Sequence, residues 1–149
     1  MKSGRIDEFQ GEYRFLSNFF PSPVEMDGIR YGNAEAAFQA QKVLTEEEKR
    51  EFSDLPPNDA KRKGRGVRLR PDWEEVKTEM MEKVVRAKFR QNPELTRLLL
   101  ATGGAELVEG NSWNDRCWGV DLRTGEGENR LGRILMKIRE EERETLGRK

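Results

Sequence analysis

The sequence contains no histidine, and that absence removes more chemistry than any other count. Serine–histidine and cysteine–histidine nucleophile pairs, imidazole acid–base catalysis and histidine-ligated zinc are all excluded. A single cysteine, Cys117, allows neither an internal disulfide nor a paired-cysteine metal or redox motif. The longest apolar run, Leu98 to Ala101, falls far short of the ~20 residues that span a bilayer. The first residues carry no apolar leader, so the expectation is a cytoplasmic protein with no membrane partner. Neither charge sign dominates: 28 Lys+Arg balance 28 Asp+Glu. The whole molecule therefore projects no field toward a polyanion, although a local patch still can. Catalysis is left to carboxylates, lysine, tyrosine, Cys117, water or an all-oxygen metal site.

A chain of 149 residues suits one domain, spanning 1–149. Charged residues make up 38%, against roughly 25% in an average globular protein. The hydrophobic 34% still supports one modest core. Val24–Met26, Asp27-Gly28 and Ile29–Tyr31 read as a hairpin, because Asp-Gly tolerates the positive φ angles of its turn. The aromatic stretch from Tyr13 to Phe20 reads as irregular, closed by Pro21 and Pro23.

Asn33 is placed to cap a helix over Ala34 to Leu44, and Thr45 with Glu48 has capping-box spacing for a second helix. Asn58 or Asp59 can cap a third, broken near Gly64 and Gly66. The longest helix is expected over roughly 71–91, with Trp73, Val76, Met80, Val84 and Ala87 on its core face. A helix from Asn92-Pro93 stops at Gly103-Gly104, and Glu106–Glu109 reads as a short strand. Residues 110–128 read mostly as loop, followed by a last helix with Leu131, Ile134, Leu135 and Ile138 inward. The fold class is mainly α (α+β): several helices with a small β-hairpin or short sheet.

Three clusters carry chemistry. On the helix after Asn33, Glu35, Gln39 and Lys42 fall within about 60° of one another. Such a stripe is either a solvated face or a carboxylate, amide and amine set for acid–base and nucleophilic work. Lys61, Arg62, Lys63, Arg65, Arg68 and Arg70 crowd together around Gly64 and Gly66. That cluster is either a phosphate cradle or a solvated basic face opposite Glu46, Glu47, Glu48 and Glu51. Trp113 and Trp118 flank Asp115 and Cys117 in a polar loop, where they either cap the core or wall a planar ligand. Asp115 can bind a ribose hydroxyl or act as a second carboxylate. Cys117 reads as a small packed hydrophobe.

These blocks together resemble the NADAR superfamily, and in particular its YbiA-like members, and the resemblance implies a domain core from about 9 to 140. They run from Phe15-Leu16-Ser17-Asn18-Phe19, through Tyr31 and Glu35 to Lys42, to Lys63-Gly64-Arg65 and Arg70-Pro71-Asp72-Trp73. They continue with Ala87-Lys88-Phe89, Leu107-Val108-Glu109, Asn114-Asp115, Trp118-Gly119 and Gly127 to Gly132. The resemblance implies an N-glycosidase that releases ribose 5-phosphate from early riboflavin-pathway intermediates, or an enzyme that removes ADP-ribose from guanine in DNA or RNA. A non-catalytic module for ADP-ribose or NAD is the third alternative.

The same resemblance implies Glu35, Lys42 and Asp115 as catalytic residues, Lys42 as a Schiff-base nucleophile at ribose C1. It also puts Trp73 in the site, although helical periodicity makes it equally a core residue. Gly64 and Arg65 are expected on phosphate, Trp118 and Phe19 as walls, Asn18 and Asn129 on hydroxyls, and Gln39 beside them. No cofactor and no metal is implied. The expected partner is a ribosyl phosphate or ADP-ribose, with modified nucleic acid as a further substrate. One position departs from the pattern: many relatives carry histidine after the glutamate, where this chain has Ala36. That position bears on the subgroup and hence on the substrate.

Overall fold

Residues 4–147 are described by the computed structural model. About half of the chain is helical and the strands are short, as the caps and periodicity of the sequence led one to expect. In chain order the elements are β1 (Arg5–Ile6), a 3-10 turn (Gly11–Leu16), β2 (Pro21–Met26), β3 (Ile29–Asn33), α1 (Ala34–Ala40), α2 (Glu46–Arg50) and α3 (Pro57–Gly66). Then follow α4 (Trp73–Gln91), α5 (Pro93–Ala101), β4 (Glu106–Leu107), β5 (Gly110–Asn111), β6 (Val120–Asp121) and α6 (Arg130–Gly147). The chain divides into two compact units: one is continuous, Asn18–Asn92, and the other combines the residues up to Ser17 with those from Pro93 onward.

The continuous unit begins with the β2–β3 hairpin, in which Val24 pairs with Tyr31 and Met26 with Ile29. Its turn is the expected one, with φ of 50° at Asp27 and 82° at Gly28. Asn33 ends β3 and caps α1, its side chain accepting from Ala36 N at 2.7 Å and donating to the Leu55 carbonyl at 3.1 Å. Every residue of α1 is buried, polar ones included. The helix ends at Ala40, short of the expected Leu44. Residues 41–43 continue in a tighter turn, with Lys42 N bonded to the Gln39 carbonyl and Val43 N to that of Ala40. Leu44 is exposed.

Thr45 caps α2 as expected, accepting from Glu48 N at 3.1 Å and donating to the Glu48 carboxylate at 2.8 Å. Helix α3 starts at Pro57 rather than after Asn58 or Asp59, since proline fits a first turn whose N–H has no partner. Gly64 lies inside α3 and does not break it.

Helix α4 opens at Trp73, with Pro71 outside it, and its buried face differs from the expected one. Trp73, Met81, Val84, Val85, Lys88 and Phe89 are buried, whereas Val76, Met80 and Ala87 are only half-buried. The inward face includes lysine, which a purely apolar pattern leaves outside.

In the other unit, β1 pairs in parallel with β4, and β5 with β6. The β1, β5 and β6 pieces were not foreseen, and part of the aromatic stretch forms the 3-10 turn, burying Phe15 and Leu16. Helix α6 buries Leu131, Ile134, Leu135 and Ile138, as the spacing predicts. Its Arg139 donates to the Thr102 hydroxyl at 2.9 Å and Arg143 to the Gly103 carbonyl at 2.7 Å, closing the end of α5. Leu95 and Leu99 are buried on α5, while Leu98 is exposed.

Candidate active site

The stripe on α1 is not a solvated face. Glu35 is 8% exposed and Gln39 6%. Glu35 lies in the first turn of α1, where free backbone N–H groups favour a negative charge. Its own N–H donates to the Asn18 carbonyl at 3.0 Å, which ties the segment before β2 to the helix start. One turn along, Gln39 Nε2 donates to Glu35 Oε2 at 2.6 Å.

That bond turns the other end of the Gln39 amide toward α3. A Cβ on Gly64 would stand 1.9 Å from Gln39 Oε1, so only glycine permits this approach. The Gly64 carbonyl in turn accepts from Lys42 Nζ at 3.3 Å. Glycine here is a close-packing residue between α1 and α3, and Lys42 is drawn to the same junction.

The Lys42 amine is held below the ordinary lysine range. Burial is the main cause, and Arg65 and Lys77 push it the same way, while the Glu35 charge pulls it back. An amine so placed is a better nucleophile at neutral pH than a solvated lysine. Arg65 is exposed and makes no ion pair among the described residues, whereas Lys77 is paired with Glu74 at 2.8 Å. Asn18 Oδ1 and Gln39 Oε1 are buried acceptors without a hydrogen-bond partner among the described residues. Buried acceptors left open are costly, and hydroxyl donors from a bound molecule would relieve them.

The remaining sequence-predicted residues of this unit are Asn18, Phe19 and Trp73. Asn18 Nδ2 rests on Met81 Sδ of α4 at 3.2 Å. The Phe19 ring is partly exposed, with Lys61 Nζ 5.9 Å from its centre. Trp73 is buried and packs on Phe38 of α1, ring centres 5.3 Å apart. The basic cluster splits: Lys63 pairs with Glu51 at 2.8 Å, one of the acidic residues set opposite it in the sequence reading, and Arg62 with Asp59 at 3.2 Å.

Asp115, Trp118 and Asn129 belong to the other unit. There Asp115 Oδ1 accepts from Cys117 N at 3.1 Å and Trp118 N at 2.9 Å, holding the loop. Asn129 accepts from Glu109 N at 3.0 Å and donates to the Leu107 carbonyl at 2.9 Å. Trp118 and Cys117 are half-buried, and Trp113 is exposed. That unit also has a cavity of about 540 Å³ lined by Arg5, Asp7, Glu8, Gln10 and Tyr13, none of them a predicted site residue. Among the described residues no group of three or more Cys, Asp or Glu could hold a metal ion, and no helix is long and apolar enough to cross a membrane.

The sequence reading missed the part played by α4. At 100° per residue, Trp73, Lys77, Met81, Val84 and Lys88 lie within about 80° of arc. One stripe thus touches Phe38 through Trp73, acts on Lys42 through Lys77 and supports Asn18 through Met81. Its signal was available as two lysines in register with Trp73.

A model of the NADAR domain matches residues 6–143, nearly the whole chain. The chain belongs to the NADAR domain family. The family match runs through both compact units. Among NADAR relatives, N-glycosidase YbiA of Escherichia coli is 45% identical over 133 residues, 87% of this chain and 82% of that protein. Riboflavin biosynthesis protein VVA0006 of Vibrio vulnificus is 40% identical over 132 residues, 85% of this chain but 35% of that longer protein. The solution structure of E. coli YbiA superimposes with a TM-score of 0.83 at 42% identity, covering 95% of this chain and 86% of that one.

Proposed function

We propose that this protein is an N-glycosidase, hydrolysing the bond between ribose 5-phosphate and a base or amine, with an early riboflavin-pathway intermediate as substrate. The observation that carries the reading is a buried carboxylate, Glu35, whose charge acts on Lys42, an amine depressed by burial. The names of the relatives, N-glycosidase and riboflavin biosynthesis protein, support the same class.

Glu35 stabilises the positive charge that develops at C1 as the sugar ring opens: the C1–O4 bond breaks, O4 takes the proton of the glycosidic N–H and C1 becomes doubly bonded to that nitrogen. Lys42 Nζ then adds to C1, and the C=N π pair goes to the nitrogen. The two amine protons of Lys42 pass in turn by way of Glu35 to the departing nitrogen, which leaves with the bonding electron pair as the imine to Lys42 forms. Water then adds at C1, releases the free sugar and restores the amine. Asn18 and Gln39 accept from sugar hydroxyls, and Arg65 holds the phosphate. Gly64 backs Lys42, and Trp73 and Phe19 stand as walls.

A second reading, removal of ADP-ribose from guanine in nucleic acid, draws on Lys61 over the exposed Phe19 ring and on the exposed Arg65 and Arg68. Side-by-side hydrolysis of aminopyrimidine ribosyl phosphates, an oligonucleotide carrying ADP-ribosylated guanine, and NAD separates the readings. The account expects turnover of the first, abolished in Glu35→Gln. Turnover of the oligonucleotide alone, weakened steeply by salt, selects the second reading. Binding without turnover of any of the three leaves only a binding module.

A further inference from the structure

The turn that carries Lys42 has no capping residue of its own. Helix α1 ends at Ala40 with neither glycine nor proline after it; its own last carbonyls are taken up by residues 41–43, and the carbonyls of Gln41 and Lys42 beyond it take partners from elsewhere. Arg70 supplies them. Its backbone N–H donates to the Lys42 carbonyl at 2.9 Å, and its Nη1 reaches the Gln41 carbonyl at 3.5 Å. The rest of the guanidinium is fixed by Asp72, Nε to Oδ1 at 2.7 Å and Nη2 to Oδ2 at 3.2 Å. The carbonyl of Arg70 accepts from Trp73 N at 3.2 Å, at the start of α4. Arg70 is thus bonded on one side to the turn bearing the amine and on the other to the first residue of the supporting helix. The Arg70 side chain is 16% exposed, although its partner Asp72 is 41% exposed.

We propose that Arg70, locked by Asp72, is a positioning residue that sets the Lys42 amine for reaction. It acts through the 41–42 backbone and touches no substrate. Lysine cannot replace it, because the role needs a planar fork that holds a carboxylate and reaches a carbonyl at once. The inference rests on the reading of Lys42 as the nucleophile. Its consequence is geometric: without the fork, the turn loosens and the amine leaves the junction among Glu35 of α1, Arg65 of α3 and Lys77 of α4.

Two readouts are needed. In Arg70→Met, kcat should fall roughly tenfold with KM changed less than about twofold, the pattern of a misplaced reacting group. The pH midpoint for labelling of Lys42 by an amine reagent, read by mass spectrometry, should move up toward that of an ordinary lysine. Arg70→Lys should recover little of either, and Asp72→Ala should reproduce the shift. These two variants also stand in where Arg70→Met does not fold. A lower melting temperature with an unmoved Lys42 midpoint and unchanged kcat overturns the proposal. Full turnover by Lys42→Ala overturns the nucleophile reading instead, while the labelling shift still reports on Arg70.

Discussion

Helix α6 and helix α1 teach opposite lessons about burial. On α6, Leu131, Ile134, Leu135 and Ile138 go inward, and hydropathy alone explains the face. On α1, Glu35 and Gln39 go inward beside alanines, and on α4 Lys88 is fully buried. Burying polar and charged groups costs stability unless they are paired, and two acceptors next to Glu35 are left open. On α6 burial follows hydropathy and builds the core; on α1 it opposes hydropathy at Glu35 and Gln39, which marks those two as candidate site residues.

Glu35→Gln should sharpen that contrast most. The amide keeps the shape and a hydrogen bond to Gln39 but removes the charge, so kcat should fall by at least ~100-fold with the fold intact. Circular dichroism beside a hydrolysis assay reads both. Leu135→Ala on α6 should do the reverse, costing about 2–5 kcal/mol of stability while the folded fraction keeps its turnover. Denaturant unfolding measures the loss, and a specific activity per folded molecule below half of the parent contradicts the division of labour.

Gly64→Ala belongs between these extremes. Its methyl group would press on Gln39 Oε1, so the variant should lose about 1–3 kcal/mol and also turn over more slowly. Lost stability with unchanged kcat would mean that the Gln39–Glu35 bond does not depend on this approach.

The smallest effect is read from pH. Burial pushes the Lys88 amine down to about 7 from 10.5. Between those values the unfolded chain holds a proton that the folded chain has released, so stability rises with pH from about 7 to 10. Lys42 and Lys49, also depressed by burial, act in the same direction. Above pH 10 the buried Tyr31 phenol, raised to about 12, reverses the trend, because the unfolded chain loses that proton first. Lys88→Met should flatten the rise in melting temperature between pH 7 and 10. An unaltered slope contradicts the assignment to Lys88.

Legibility in the sequence follows the same divide. The hairpin turn, the Asn33 and Thr45 caps and the inward face of α6 are local or periodic signals, and each was readable. The end of α1 was not, because its turn is closed by Arg70, 28 positions after Lys42, rather than by a nearby glycine. The face of α4 was rotated in the sequence reading because buried lysines do not look apolar. Gly64 read as a breaker because its packing partner, Gln39, is on another helix. The candidate residues Glu35, Gln39 and Lys42 were legible as a stripe. Their burial comes from α3 and α4 and could not be read from spacing alone.

Borohydride trapping during turnover tests the central claim most directly. The account predicts that a ribosyl phosphate substrate leaves a reduced sugar on Lys42, found by peptide mass spectrometry and absent from Lys42→Ala and Glu35→Gln. Steady turnover in borohydride with no adduct, and a Lys42→Ala variant as active as the parent, would contradict it.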